Sequence, residues 1–375
     1  MDFNLTREEQ MIRDSAREFC RSEIEPIAGD LDRAGRVPEE LLKQLSKLGF
    51  FGITVPEAFG GEGAGDFAHL LVIEELAYAG CPAWWPVAFN NSLPQTICRY
   101  GTDEQKETYV RNRLDGSQLY SIQFTEPDTG SDPNALQTTA RETEDGFLIN
   151  GSKRFSTFGA RSGPALVWAN VEGRGCTCFL IEKQCPGYTA PKIWELMGSG
   201  GIEPADVYYQ DMAVKENQVL GEVGKGFGIL LHWIAVEKIQ GCIVAVALAQ
   251  AALDEAVAYA RRRRAGKGTM ASMQGIRFEL AQIYANIQAC RWMTYRTMHL
   301  LAEDSKAFQT EAAACKIAVQ PLMSEAISAA FRLHGGYAYT KEHKIERLFR
   351  AQPGNVVISV SLEINKSIVG ASLVK

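Results

Sequence analysis

Residues 124–132, Phe124-Thr125-Glu126-Pro127-Asp128-Thr129-Gly130-Ser131-Asp132, and residues 145–157, Asp145-Gly146-Phe147-Leu148-Ile149-Asn150-Gly151-Ser152-Lys153-Arg154-Phe155-Ser156-Thr157, decide how this chain is read. Both join a short strand-like run to a cluster of turn formers, and their neighbours do the same. Leu119 to Thr125, Leu136 to Ala140, Phe147 to Ile149, Ala165 to Val171, Cys176 to Ile181 and Val207 to Tyr209 are short runs. Turns at Asp128 to Asp132, Glu144 to Gly146, Asn150-Gly151 and Glu172-Gly173 separate them. Many short strands at even spacing predict a small β-sandwich or barrel, not a parallel doubly wound sheet.

On either side the texture is helical. Thr6-Arg7-Glu8-Glu9 has the spacing of a capping box, with Met11, Ile12, Ala16, Phe19 and Cys20 following at helical intervals. Val37-Pro38-Glu39-Glu40 opens a second helix that Gly49 ends, and a third runs from about Phe67 to Ala79. Between them, Val55 to Gly63 is too rich in breakers for regular structure. Beyond Gly226, segments 229–263, 273–303 and 306–333 are long and periodic with alanine-rich faces. The expected fold is mainly α with a central β domain: N-terminal helices over 1–118, the β domain over 119–225, and a C-terminal four-helix bundle over 226–375.

Composition narrows the function. The 375 residues carry a net charge of −6, with 46% hydrophobic and 22% charged residues, which is globular and excludes a disordered chain. Net acidity speaks against a nucleic-acid partner, whose phosphates need clustered Lys and Arg. The nine cysteines show no Cys-x-x-Cys spacing, and Cys176 and Cys178 are too close to frame a zinc site, so no metal is expected. Reduced thiols, the absence of a leader-like start at Met1, and no run of eighteen uninterrupted apolar residues lead to the expectation of a cytoplasmic protein with no membrane span.

The two opening segments resemble the acyl-CoA dehydrogenase family, whose motifs read Thr-Glu-Pro-x-x-Gly-Ser-Asp and then Asp-Gly-x-x-x-Asn-Gly-x-Lys. Val55-Pro56-Glu57 through Gly61, Leu196-Met197-Gly198, Leu220-Gly221 through Gly226-Phe227, His334-Gly335-Gly336-Tyr337 and Ile345 to Arg350 extend the resemblance over the whole chain. It implies a flavoprotein with FAD between the β domain and the bundle. Phe124, Thr125 and Thr157 match positions that contact the flavin ring, Phe155 a position that walls it, and Gly130 and Ser131 positions near the pyrophosphate. Arg263, Gln274, Arg332, Gly335, Gly336 and Ser361 match positions at the cofactor, several of them reaching a neighbouring subunit's FAD. Arg332 stands where the family has glutamine and Ser361 where it has threonine. Plain core packing for Phe155 and a solvated helix end for Arg263 are the competing readings.

The implied chemistry removes a proton α to a thioester carbonyl and passes the β-hydride to flavin N5, giving a 2,3-enoyl-CoA. A carboxylate base and donors for the enolate oxygen are required. Counting from Arg350, Ser359 occupies the place of the usual glutamate, and a hydroxyl is too weakly basic for that task, though its N–H can still serve the thioester oxygen. Relatives of the isovaleryl- and long-chain type carry the base on a bundle helix instead. Counting back from Gln250 of Ala249-Gln250-Ala251-Ala252-Leu253, that position is Glu237. Its helical neighbours Trp233, Ile234, Gln240 and Gly241 suggest a mostly apolar surface with room for a ligand, which raises a carboxyl pKa. A solvated Glu237–Lys238 pair on an outer face is the alternative.

Substrate contacts are expected from Ser131, Lys238 and Ser359, and Ala235 and Lys238 replace an aspartate and an arginine near the CoA end. Trp84, Trp85 and Phe89 border the acyl pocket by resemblance, or are packing residues. Implied partners are an acyl-CoA, an electron-transfer flavoprotein, and further copies in a dimer or homotetramer. Two other readings stay open. One is a relative without the usual base, such as a desulfinase, reductase or oxygenase; the other is one subunit of a heteromer with a homologous chain.

Overall fold

The computed structural model describes residues 4–130, 135–303 and 307–374. Ser131 therefore lies outside the described residues. The Thr6 box closes as its spacing predicts: Glu9 N–H donates to Thr6 Oγ1 at 3.2 Å and Thr6 N–H to Glu9 Oε2 at 2.7 Å. Helix α1 (Arg7–Phe19) starts there. Then come α2 (Ala28–Ala34), α3 (Glu39–Lys47), α4 (Gly65–Tyr78), α5 (Trp84–Tyr100) and α6 (Asp103–Tyr109). After α3 the chain passes through Gly49 at φ +73°, a left-handed conformation that favours glycine. Helix α5 has no one-sided apolar pattern because it is buried nearly all round, and Pro94 lies inside it, so neither periodicity nor breaker logic finds it.

The central region is one eight-stranded sheet of β1 (Ser121–Gln123), β2 (Thr139–Thr143), β3 (Gly146–Ser156), β4 (Pro164–Val171), β5 (Gly175–Glu182), β6 (Tyr188–Ile193), β7 (Ala205–Lys215) and β8 (Val219–Leu220). Its order is β6-β7-β3-β2-β4-β5-β8, with β1 on β4. The β1–β4 and β2–β4 pairs are parallel and the rest antiparallel. Along β4, Ala165, Val167 and Ala169 face a core belonging to the sheet alone, while Leu166 and Trp168 face the helices. Trp168 Nε1 donates to the Gly226 carbonyl at 2.8 Å and so fastens the sheet to the first turn of the bundle.

That bundle begins with α7 (Gly226–Arg262), followed after a short β9–β10 hairpin (Arg264–Ala265, Gly268–Thr269) by α8 (Gln274–Ala302) and α9 (Phe308–His334). Helices α10 (Lys344–Val357) and α11 (Leu362–Leu373) complete it. By length and composition α7 is apolar enough to cross a membrane; 67% of its most apolar window is buried inside the fold, against α4, α8, α9 and α10. Two arginines of α10 clamp the bundle to the N-terminal helices. Arg350 Nη2 donates to Asp32 Oδ2 at 2.6 Å and Arg347 to the Ala79 and Gly80 carbonyls at 3.1 and 2.9 Å. The Ile345–Arg350 motif is thus architectural on this side.

Candidate functional site

Glu237, Lys238 and Ser359 are brought together. They line one pocket with Trp84, Trp85, Ala88 and Phe89 of α5, Gln240 and Gly241 of α7, Lys316 and Gln320 of α9, and Asn355 and Ile358 of the α10 end. Its volume is about 370 Å³, counting space open to solvent. Trp84 and Trp85 stack with centroids 3.8 Å apart, and Phe89 packs edge-on against Phe158 and Trp233, so one wall is aromatic. Gly241 leaves the expected room: an added Cβ would meet only Gln320 Nε2, at 3.9 Å.

The apolar surface expected around Glu237 is present, and the other walls add polar side chains that its helical neighbours did not show. Lys238 and Lys316 are 3% and 1% exposed, so the solvated outer pair is ruled out. Helical spacing along α7 shows only that helix's own neighbours; Lys316 and Gln320 arrive from α9, Asn355 from α10 and Ser359 from just beyond α10. Lys316 and Gln320 carried no motif, and only the assembled pocket singles them out.

Glu237 is half-buried. Burial pushes its pKa up to about 7, against opposing pulls from the Lys316 charge, the Ser359 hydroxyl and the Lys238 charge. The Ser359 hydroxyl is buried beside that carboxyl without a well-aligned hydrogen bond to it. Ser359 itself sits at φ +69°, and among the described residues no hydrogen bond uses its N–H. A carboxyl that titrates near neutrality can take or return a proton at working pH.

The two motif segments are joined by charge. Lys153 Nζ lies 2.8 Å from Glu126 Oε1 and donates to the Phe124 carbonyl at 3.0 Å, both side chains being fully enclosed. Glu126 also accepts from Gln137 and Thr138 N–H at 2.6 and 2.9 Å. Burial alone would raise the Glu126 carboxyl; the Lys153 charge and these hydrogen bonds outweigh it and hold it below its usual range. Arg154 N–H donates to the Thr125 carbonyl at 2.9 Å, so Phe124 and Thr125 lie alongside the end of β3.

Phe155 stands at that end, at φ +59°, where the β3–β7 register shifts between Lys153 and Ser156. Such a conformation costs roughly 1–3 kcal/mol in a residue with a Cβ. It leaves the ring 54% exposed and tilted on Trp194 at 5.6 Å, which excludes plain core packing. Thr157 follows, nearly buried, its carbonyl accepting from Ser121 Oγ at 2.6 Å. An exposed aromatic plate rimmed by hydroxyl and main-chain groups fits a planar heterocycle. Gly130, exposed at the turn before residue 131, meets only Thr125 Cγ2 when given a Cβ.

Arg263, Gln274, Arg332, Gly335 and Gly336 form an exposed group at one end of the bundle. The Arg263 guanidinium lies 5.8 Å from the Tyr337 ring, and Arg332 pairs with Glu279 at 3.1 Å. Gly335, at φ +60°, and Gly336 face open space. Ser361 caps α11, accepting from Ile364 N–H at 3.3 Å.

The acyl-CoA dehydrogenase N-terminal, middle and C-terminal domain families match residues 6–117, 121–212 and 224–374. The chain belongs to the acyl-CoA dehydrogenase family. It is an oxidoreductase of that family, with FAD as cofactor. A 3-(aryl)acrylate reductase of Clostridium sporogenes is 33% identical, covering 99% of both chains. An acryloyl-CoA reductase (NADH) of Anaerotignum propionicum is 32% identical over 100% of this chain and 96% of its own. The butyryl-CoA dehydrogenase structure from Megasphaera elsdenii is 30% identical, with a TM-score of 0.95 and full coverage of both chains.

Proposed function

We propose that the protein interconverts an acyl-CoA and its 2,3-enoyl-CoA, with Glu237 as the base that removes the α-proton. The observation that carries this is the Glu237 carboxyl, held near a pKa of about 7 by burial in a pocket walled by Trp84, Trp85 and Phe89. The Ser359 N–H, which no hydrogen bond uses among the described residues, would donate to the thioester oxygen as enolate charge develops. FAD, when bound, supplies the acceptor for the hydride leaving the β-carbon. Phe155 would wall it, with Phe124, Thr125 and Thr157 at its polar edge and Gly130 and Ser131 toward its phosphates. Arg263, Gln274, Arg332, Gly335, Gly336 and Ser361 are proposed to reach the cofactor too, the bundle-end group from a second copy in a dimer or tetramer. An electron-transfer flavoprotein is the proposed redox partner.

A carboxyl at about 7 also serves as the acid for the reverse reaction, and two relatives are named reductases. Reduction of an enoyl-CoA is therefore the second reading. Anaerobic addition of acyl-CoA thioesters to the holoenzyme tests the first: loss of the oxidised-flavin absorbance is expected. An unreduced flavin with every saturated thioester, and reoxidation of reduced enzyme by an enoyl-CoA, would give the second reading the field.

A further inference from the structure

The pocket holds more positive charge than its one carboxylate balances. Lys238 and Lys316 are buried, and among the described residues neither forms an ion pair. Lys316 donates to the Ile358 carbonyl, which uses one of its three N–H donors. Two further donors lining the pocket, Trp85 Nε1 and Gln240 Nε2, belong to residues each 3% exposed and have no hydrogen-bond partner. A saturated alkyl chain would offer these four groups no acceptor, leaving buried donors unmet. The stacked Trp84–Trp85 pair and the small volume restrict the occupant to a short chain.

We propose that this pocket takes an acyl group ending in a carboxylate, so that the substrate is the mono-CoA thioester of a short dicarboxylic acid. This rests on the acyl-CoA reading above. A carboxylate offers about four lone-pair sites, enough for two ammonium groups and the Trp85 and Gln240 N–H donors together. It also removes the imbalance of two ammonium groups against one Glu237 carboxylate. Burial, and for Lys238 the neighbouring Lys316 charge, already lowers both lysines below their ordinary range, the effect an added anion would reverse.

The test compares glutaryl-CoA with pentanoyl-CoA, thioesters of equal chain length, by anaerobic calorimetry on the holoenzyme, with flavin absorbance followed in the same titrations. Glutaryl-CoA should bind about tenfold tighter or better. Lys316→Met should bring the ratio of the two dissociation constants close to one, with Lys238→Met as the second variant should the first not fold. Equal or weaker binding of glutaryl-CoA to the unaltered enzyme overturns the inference without any variant. A flavin left oxidised by both ligands sinks the dehydrogenase reading instead, and a tenfold preference measured alongside it still supports the carboxylate site.

Discussion

Lys153 in the sheet and Lys316 in the bundle are both 1% exposed, yet their surroundings differ. Lys153 meets a carboxylate at 2.8 Å and a carbonyl at 3.0 Å, and its partner Glu126 has two backbone donors of its own. Lys316 meets one carbonyl and shares its pocket with a second lysine and one half-buried glutamate. Burial penalises both ammonium groups; only in the sheet is the penalty met by an ion pair. The contrast separates two uses of buried charge. A closed, paired set fastens two strand segments, whereas an open, underpaired set waits for a ligand.

The largest expected effect lies on the open side. Glu237→Gln should slow flavin reduction by roughly a hundred- to ten-thousandfold with FAD retained, read by stopped-flow absorbance. Unchanged bleaching would move the base elsewhere and erase the contrast. On the closed side, Lys153→Met leaves the Glu126 carboxylate buried without its counter-charge, and should cost about 3–5 kcal/mol of unfolding free energy in a denaturant titration. Adding Glu126→Gln should restore part of it, since the amide oxygen still accepts from the Gln137 and Thr138 N–H groups while the stranded charge is gone.

Smaller effects sharpen the picture. Glu237 acts as base when ionised, and its pKa is raised to about 7, so the reduction rate should climb through that pH and fall about tenfold per unit below it. A limb near the ordinary glutamate value would mean the carboxyl is solvated. Phe155→Ala should weaken FAD binding about tenfold, measured by fluorescence titration of the apoprotein, because the ring supplies stacking and little else. Arg332→Ala should change folding stability by under about 0.5 kcal/mol, since its pair with Glu279 is exposed and screened.

Much of the molecule was legible in its residues. The Thr6 cap, the three long bundle helices and most strands follow from local spacing, and they stand where that spacing predicted. Strands β6, β8, β9 and β10 and helices α2, α5, α6, α10 and α11 went unread. In α5 the apolar face is all-round, so the helical period is blurred, and Pro94 and Pro353 stand inside α5 and α10 where a breaker reads as an end. In the site, Glu237 was singled out by counting along a motif, but Lys316 and Asn355 went unseen beside it because they lie far along the chain.

What the sequence determined by itself is the order of helices, sheet and bundle, the family, and the helix that bears the carboxyl. Those are properties of short windows, where residues a turn or a strand repeat apart meet whatever the rest of the chain does. Only the tertiary structure decided the company that carboxyl keeps. Helices α5, α7, α9 and α10 converge there, and a buried charge takes its pKa and its appetite for a partner from every wall around it.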